Sequence, residues 1–268
     1  MPAVRLLFGE VLSESFGFFF NNVALFFHLV TIPWILSLVL RIVGAALIDD
    51  SALSALAMKA IDSIPTVMFM VAWMRVTLLG PKRPVRLPGL DWSRRETAFL
   101  IHLLKVAGIT FLLLAGFTLS VGAFDPTSLA GASDPDLARR EAMAAPLGTG
   151  FFISALMALR VSFGLAATSV DVPFTPRDSW AYSRGNAWTI IGSLFVVLFA
   201  SGIATTVAAL VPLALLRTFA ADTAATIIAW TLAILVSYGG AAIACTAQAI
   251  IFRNLTAWRE GQSLAPPA

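Results

Sequence analysis

Six long apolar runs, near 23–48, 57–80, 97–123, 148–170, 187–216 and 222–252, constrain this chain more than any other feature. Lipid offers the backbone no hydrogen-bond partner, so a spanning segment must be a helix or part of a closed barrel. A barrel strand needs about 10 residues and a spanning helix about 20. Runs of this length predict an all-α integral membrane protein of about six transmembrane helices, in a single polytopic domain over 1–268. The composition fits: 59% of residues are hydrophobic and 12% charged, where a soluble domain carries roughly 25% charged residues. Pro33, Pro65 and Pro212 lie inside the runs and are expected to bend helices without ending them.

Two shorter segments read as surface helices. Over residues 4–20, Val4, Leu7, Phe8, Val11 and Leu12 share one face while Arg5, Glu10 and Glu14 fall off it. That pattern predicts an N-terminal interfacial amphipathic helix, interrupted at Asn21-Asn22. With Glu10 and Glu14 so close behind Arg5, the segment does not read as a signal peptide. The second is near 176–184, inside the stretch PRDSWAYSRGNAW. Thr175 can cap, Pro176 suits a first helical position, Asp178 can complete the box, and Gly185 suits the left-handed residue past the end. Trp180, Tyr182 and Trp188 are expected as interfacial anchors in an aromatic belt. The connection 124–147, with Asp125, Asp134, Asp136 and Glu141 against Arg139 and Arg140, reads as irregular or short-helical.

The net charge of +3 is read as a topology signal rather than a nucleic-acid footprint. With the N-terminus inside, ten Lys and Arg face the cytoplasm (Arg5, Lys82, Arg83, Arg86, Arg94, Arg95, Arg177, Arg184, Arg253, Arg259). Four face out: Lys59, Arg139, Arg140 and Arg217. The bias predicts a multi-pass protein with both termini cytoplasmic. A faint internal echo sets Ser15-Phe-Gly-Phe-Phe-Phe-Asn-Asn22 over Ser179-Trp-Ala-Tyr-Ser-Arg-Gly-Asn186, which suggests a parallel repeat of 1–80 and 171–252.

The remaining cations lie inside the runs, where an ionisable group is costly unless paired, snorkelling or solvated. Arg41 and Asp62 stand at equal distances from the first turn, which suggests a structural ion pair. Arg75, Lys105 and Arg160 lie in the inner half with no acid in view. Snorkelling would satisfy them, and so would an anionic phospholipid headgroup in a basic pocket between helices, with Arg177 and Arg184 assisting from the interface. His28 and His102 sit on different spans and make a poor metal site; Cys245 reads as a small buried apolar residue. No metal, cofactor or catalytic residue is expected, since the motifs of zinc proteases, nucleophile elbows and phosphate-binding loops are missing.

The segments RVSFGLAA (160–167), VDVP (170–173) and SWAYSRGNAW (179–188), with VAWMRVTLLG (71–80) and RRETAFL (94–100), resemble a family of uncharacterised bacterial inner-membrane proteins. That family is in turn loosely similar to the membrane domain of bacterial glycerophosphodiester phosphodiesterases. The resemblance implies a six-helix inner-membrane module near lipid. It carries over Arg160, Ser162, Ser179, Trp180, Arg184, Gly185 and Asn186 as structural positions and no catalytic residue, because the phosphodiesterase chemistry belongs to a separate soluble barrel. Three functions are compatible with these residues: a non-catalytic accessory or lipid-interacting module, a transporter or channel component with Thr205, Thr206, Thr223, Thr226, Thr246 and Gln248 as a weak polar lining, or an intramembrane enzyme acting on a lipid. Membrane lipids are the expected partners; nucleic acid is not, and a homo-oligomer is compatible with the small residues Gly202 and Gly239-Gly240.

Overall fold

The computed structural model describes residues 5–47, 52–80, 92–122, 135–217, 222–261 and 264, and every regular element among them is helical. In chain order these are α1 (Phe8–Asn21), α2 (Val23–Leu47), α3 (Ala52–Leu79), α4 (Arg94–Gly122), α5 (Pro135–Ser162), α6 (Gly164–Ser169), α7 (Pro176–Tyr182), α8 (Ala187–Leu216) and α9 (Asp222–Thr256). Six candidate spans are long and apolar enough to cross a membrane: one each from α2, α3, α4, α8 and α9, and one made by α5 with α6. Sequential spans pair as hairpins, α2 with α3, α4 with α5 and α8 with α9, as short connections between antiparallel helices require.

The centre of the bundle is the second half of α9. From Ala242 to Phe252 every residue is buried, so this stretch is enclosed on all sides. Its sequence explains why that is feasible. Ala242, Ala244, Cys245, Thr246, Ala247 and Ala249 are small, which lets neighbouring backbones approach closely. The two polar side chains in the run find partners. Trp73 Nε1 on α3 donates to Thr246 Oγ1 at 2.9 Å, and Gln248 Nε2 donates to Ser162 Oγ at 3.2 Å. Around them stands an aromatic cluster in which Phe26, Phe69 and Trp73 meet at centroid distances of 5.9–6.1 Å. Phe19 of α1 enters the same cluster, 5.2 Å from Phe26.

Three differences from the sequence reading have physical causes. First, α1 is packed into the bundle, not only laid along it. Val11 and Ser15 are buried, and Leu12, Phe16 and Phe19 pack on Val197, Ile243 and Ala244, while Leu7 and Phe8 of the expected apolar face are half exposed. Two long-range contacts fix it: the Leu6 backbone N–H donates to Asn186 Oδ1 at 2.9 Å, and Arg253 pairs with Glu14. Second, the connection expected over 124–147 is helical from Pro135 onward. Proline suits the first helical position and the following Ala, Leu, Arg and Glu residues favour helix; residues 123–134, with Asp125 and Asp134, lie outside the described residues. Third, the fourth span breaks at Phe163 between α5 and α6. A Cβ at Gly164 would lie 2.6 Å from Ser179 Oγ and 2.9 Å from Phe174 Cδ1, so only glycine lets the α6–α7 segment come this close.

The α8–α9 contact has the same dependence. A Cβ at Gly240 would overlap Ser201, whereas one at Gly202 would meet nothing. Gly240→Val should destabilise the protein by about 1–3 kcal/mol, the usual cost of overpacking, and Gly202→Val should be neutral or slightly stabilising because valine is the better helix former. Reversible denaturant unfolding in mixed micelles, followed by circular dichroism, would measure both.

Candidate functional site

The residues with chemical interest collect at the end of the bundle that carries α1, α7 and the C-terminal end of α9. They form two neighbouring places, an elbow and a cleft. The elbow is α7 and the turn into α8. Its start is built as the sequence suggests: Thr175 Oγ1 accepts from the Asp178 N–H at 3.2 Å, and Asp178 Oδ2 accepts from the Thr175 N–H at 2.8 Å, a reciprocal capping box. Gly185 follows with φ +78°. Arg160, at the end of α5, reaches this elbow rather than a carboxylate. Its Nε donates to Ser183 Oγ at 2.9 Å, and its guanidinium lies 3.5 Å from the Trp180 ring centroid. A cation over an indole face gains about 0.5–1 kcal/mol at exposed sites and more where water is excluded. Trp180 and Trp188 are exposed, at 42% and 79%. Tyr182 differs from them: it stacks on Phe174 at 5.6 Å, and burial, with Asp178 nearby, raises its phenol above the ordinary value.

The cleft lies between the first turns of α4 and the loop after α6, with a volume of about 540 Å³. Arg94, Arg95, His102, Lys105, Thr168 and Asp171 line it, over the apolar wall of Phe174. The local sequence sets this up. Ser93 heads α4, its N–H donating to Glu96 Oε2 at 2.9 Å and its hydroxyl accepting from the Arg95 N–H at 3.2 Å. That capping places two arginines in the first turn, where the helix end is already positive and cations are disfavoured. An anion at this point relieves both the dipole and the arginines. His102 is 5% exposed and its Nε2 has no hydrogen-bond partner, while Nδ1 faces Thr168 Oγ1 at a long 3.5 Å.

An acid missed in the inner half is Asp171. The expectation that Arg75 lacks a protein carboxylate is corrected here: Arg75 Nη1 donates to the Ser169 carbonyl at 3.0 Å and lies 3.9 Å from Asp171 Oδ2. Arg95 holds the same carboxylate more tightly, Nε donating to both oxygens at 3.0 Å and Nη2 to Oδ2 at 2.5 Å. Asp171 terminates α6. The Val172 N–H bonds to Ala167 O at 3.0 Å and the Asp171 N–H to Thr168 O at 3.3 Å, the paired bonds of a Schellman motif. Its φ is +62°, where glycine or asparagine is the usual occupant. The signal was present in the run VDVP, since aspartate before a helix-ending proline tolerates this conformation. With Asp171 58% exposed, its ion pairs contribute about 0.2–1 kcal/mol.

The lipid-phosphate candidates therefore divide. Lys105 lies in the cleft with Arg94 and Arg95; Arg75 stands behind Asp171; Arg160, Arg177 and Arg184 belong to the elbow, where Arg177 and Arg184 are exposed. The expected Arg41–Asp62 pair is not formed. Asp62 Oδ1 is buried without a partner and Arg41 is exposed on α2. Equal depth did not ensure a shared face, because each residue turns the side chain by about 100° around the axis. The six polar residues of α8 and α9 do not form one lining: Thr206 and Thr223 are exposed, while Thr246 and Gln248 are enclosed in the core. His28 is exposed and Cys245 buried. Among the described residues no group of His, Cys, Asp and Glu can hold a metal.

The elbow's hold on α5 is testable. Arg160→Met should raise amide hydrogen exchange across residues 176–183 severalfold, consistent with losing about 1 kcal/mol of local stability, and leave exchange in α9 unchanged. Comparison with family models, with curated proteins and with solved structures finds no match to this chain, so the resemblance rests on the residues that carry it.

Proposed function

We propose that this protein is a non-catalytic lipid-interacting module of the bacterial inner membrane, with both termini in the cytoplasm, and that its cleft holds an anionic phospholipid headgroup. The observation that carries the reading is the cleft itself: Arg94, Arg95 and Lys105 converge beside a buried His102 at the end of an apolar bundle. Cations assembled there favour an anion, and guanidinium groups match the oxygens of a phosphate. The half-open shape leaves room for a headgroup at interfacial depth, with acyl chains against the exposed apolar residues Ile101 and Leu104 on α4. The charge bias of the loops supports the orientation, because it sets this end on the side where anionic lipid headgroups attract Lys and Arg.

Native mass spectrometry from gentle detergent tests the reading. The wild type should retain a defined anionic phospholipid, Arg94→Ala/Lys105→Ala should lose most of it, and Arg177→Ala on the elbow should keep it. Equal retention by all three proteins, or loss only with Arg177→Ala, would place the lipid elsewhere and overturn the assignment.

A further inference from the structure

Asp171 poses a question that the cleft alone does not answer. It sits at a left-handed backbone position, φ +62°, where glycine would avoid a Cβ penalty of order 1 kcal/mol. An aspartate there is explained by its carboxylate, and that carboxylate points two oxygens at Arg95. The same side chain lines the cleft and also a smaller recess beside Arg75 and Trp258. It is more than half exposed, and among the described residues its carboxylate pairs with Arg95 and, at 3.9 Å, Arg75.

A carboxylate bound through both oxygens to a guanidinium occupies the geometry that a phosphate would take. We propose that Asp171 is the resident occupant of a phosphate site centred on Arg95, and that a phosphate group enters the cleft by displacing it. This inference rests on the lipid-headgroup reading above and adds the residue that competes with the ligand. Arg95 gains a stronger partner in the exchange. Arg94 and Lys105 then complete the shell from α4. Arg75 stays with the Ser169 carbonyl and marks the place to which the displaced carboxylate can turn, 3.9 Å from its present position. The ligand class is a phosphate, borne by a lipid headgroup or by a free phosphate ester.

The exchange predicts that removing the negative charge of Asp171 tightens binding. Asp171→Asn keeps the shape and suits the left-handed backbone; Asp171→Gly removes the side chain and suits it better. Dioctanoyl phosphatidic acid and glycerol 3-phosphate would be titrated calorimetrically into full-length wild type, both Asp171 variants and Lys105→Ala in uncharged detergent. Both Asp171 variants should bind about 1.5- to fivefold more tightly, the scale of one half-exposed ion pair, and Lys105→Ala should bind more weakly. A gain confined to the lipid probe identifies a headgroup as the source; an equal gain with glycerol 3-phosphate identifies a free ester. If the wild type binds and both Asp171 variants bind equally or more weakly, the competitor role is overturned while the cleft reading stands. If neither probe binds any of the proteins, the cleft reading itself fails.

Discussion

The enclosure of α9 from Ala242 to Phe252 is the constraint on which the rest of the fold depends. In lipid there is little hydrophobic drive to bring helices together, so association relies on close packing and on polar contacts between them. A core helix made largely of alanine supplies the first, and Thr246 and Gln248 supply the second. Because they bond to Trp73 on α3 and to Ser162 at the end of α5, they fix the rotation and depth of three helices against one another. The aromatic rings of α2 and α3 fill the space that the small residues leave. With that register set, the ends of α3, α4 and α5 have determined positions, and Arg75, Arg95 and Arg160 follow.

Those three arginines show how one residue type is satisfied in three ways at one end of the bundle. Arg160 has a ring and a hydroxyl, Arg75 a backbone carbonyl with a distant carboxylate, and Arg95 a carboxylate held by both of its oxygens. Only in the last arrangement is the acceptor a half-exposed side chain lining the cleft. A backbone carbonyl at a helix end and a stacked indole are parts of the framework. The division between framework and site is thus made by what each guanidinium touches, not by its depth.

The span count, the two short helices and the capping box at Thr175 were legible in the sequence because each depends on local pattern: length of an apolar run, or residue types at fixed offsets. The break at Gly164 was not, since it depends on Ser179 and Phe174 meeting the backbone from another segment. Asp171 was hidden for a related reason. It follows its span in sequence, yet the turn that ends α6 folds it back beside Arg75 and Arg95, which are remote in the chain. Arg41 and Asp62 failed in the opposite sense: depth can be counted along the sequence, but the facing of two helices is set by the packing of both on α9. The partners of Arg160, Ser183 and Trp180, lie in the aromatic elbow that follows it.

The docking of α1 bears on how the chain is made. Its partners Asn186 and Arg253 lie 180 and 239 residues further along than Leu6 and Glu14, respectively. At about 5–20 residues per second of synthesis, the first helix waits on the order of ten to fifty seconds before its seat on α8 and α9 exists. Over that interval Phe19 already has Phe26 and Trp73 to pack on, while the residues Val197, Ile243 and Ala244 that complete the seat do not yet exist. The contacts that lock α1 in place, to Asn186 and to Arg253, are therefore the last of its contacts that synthesis makes available.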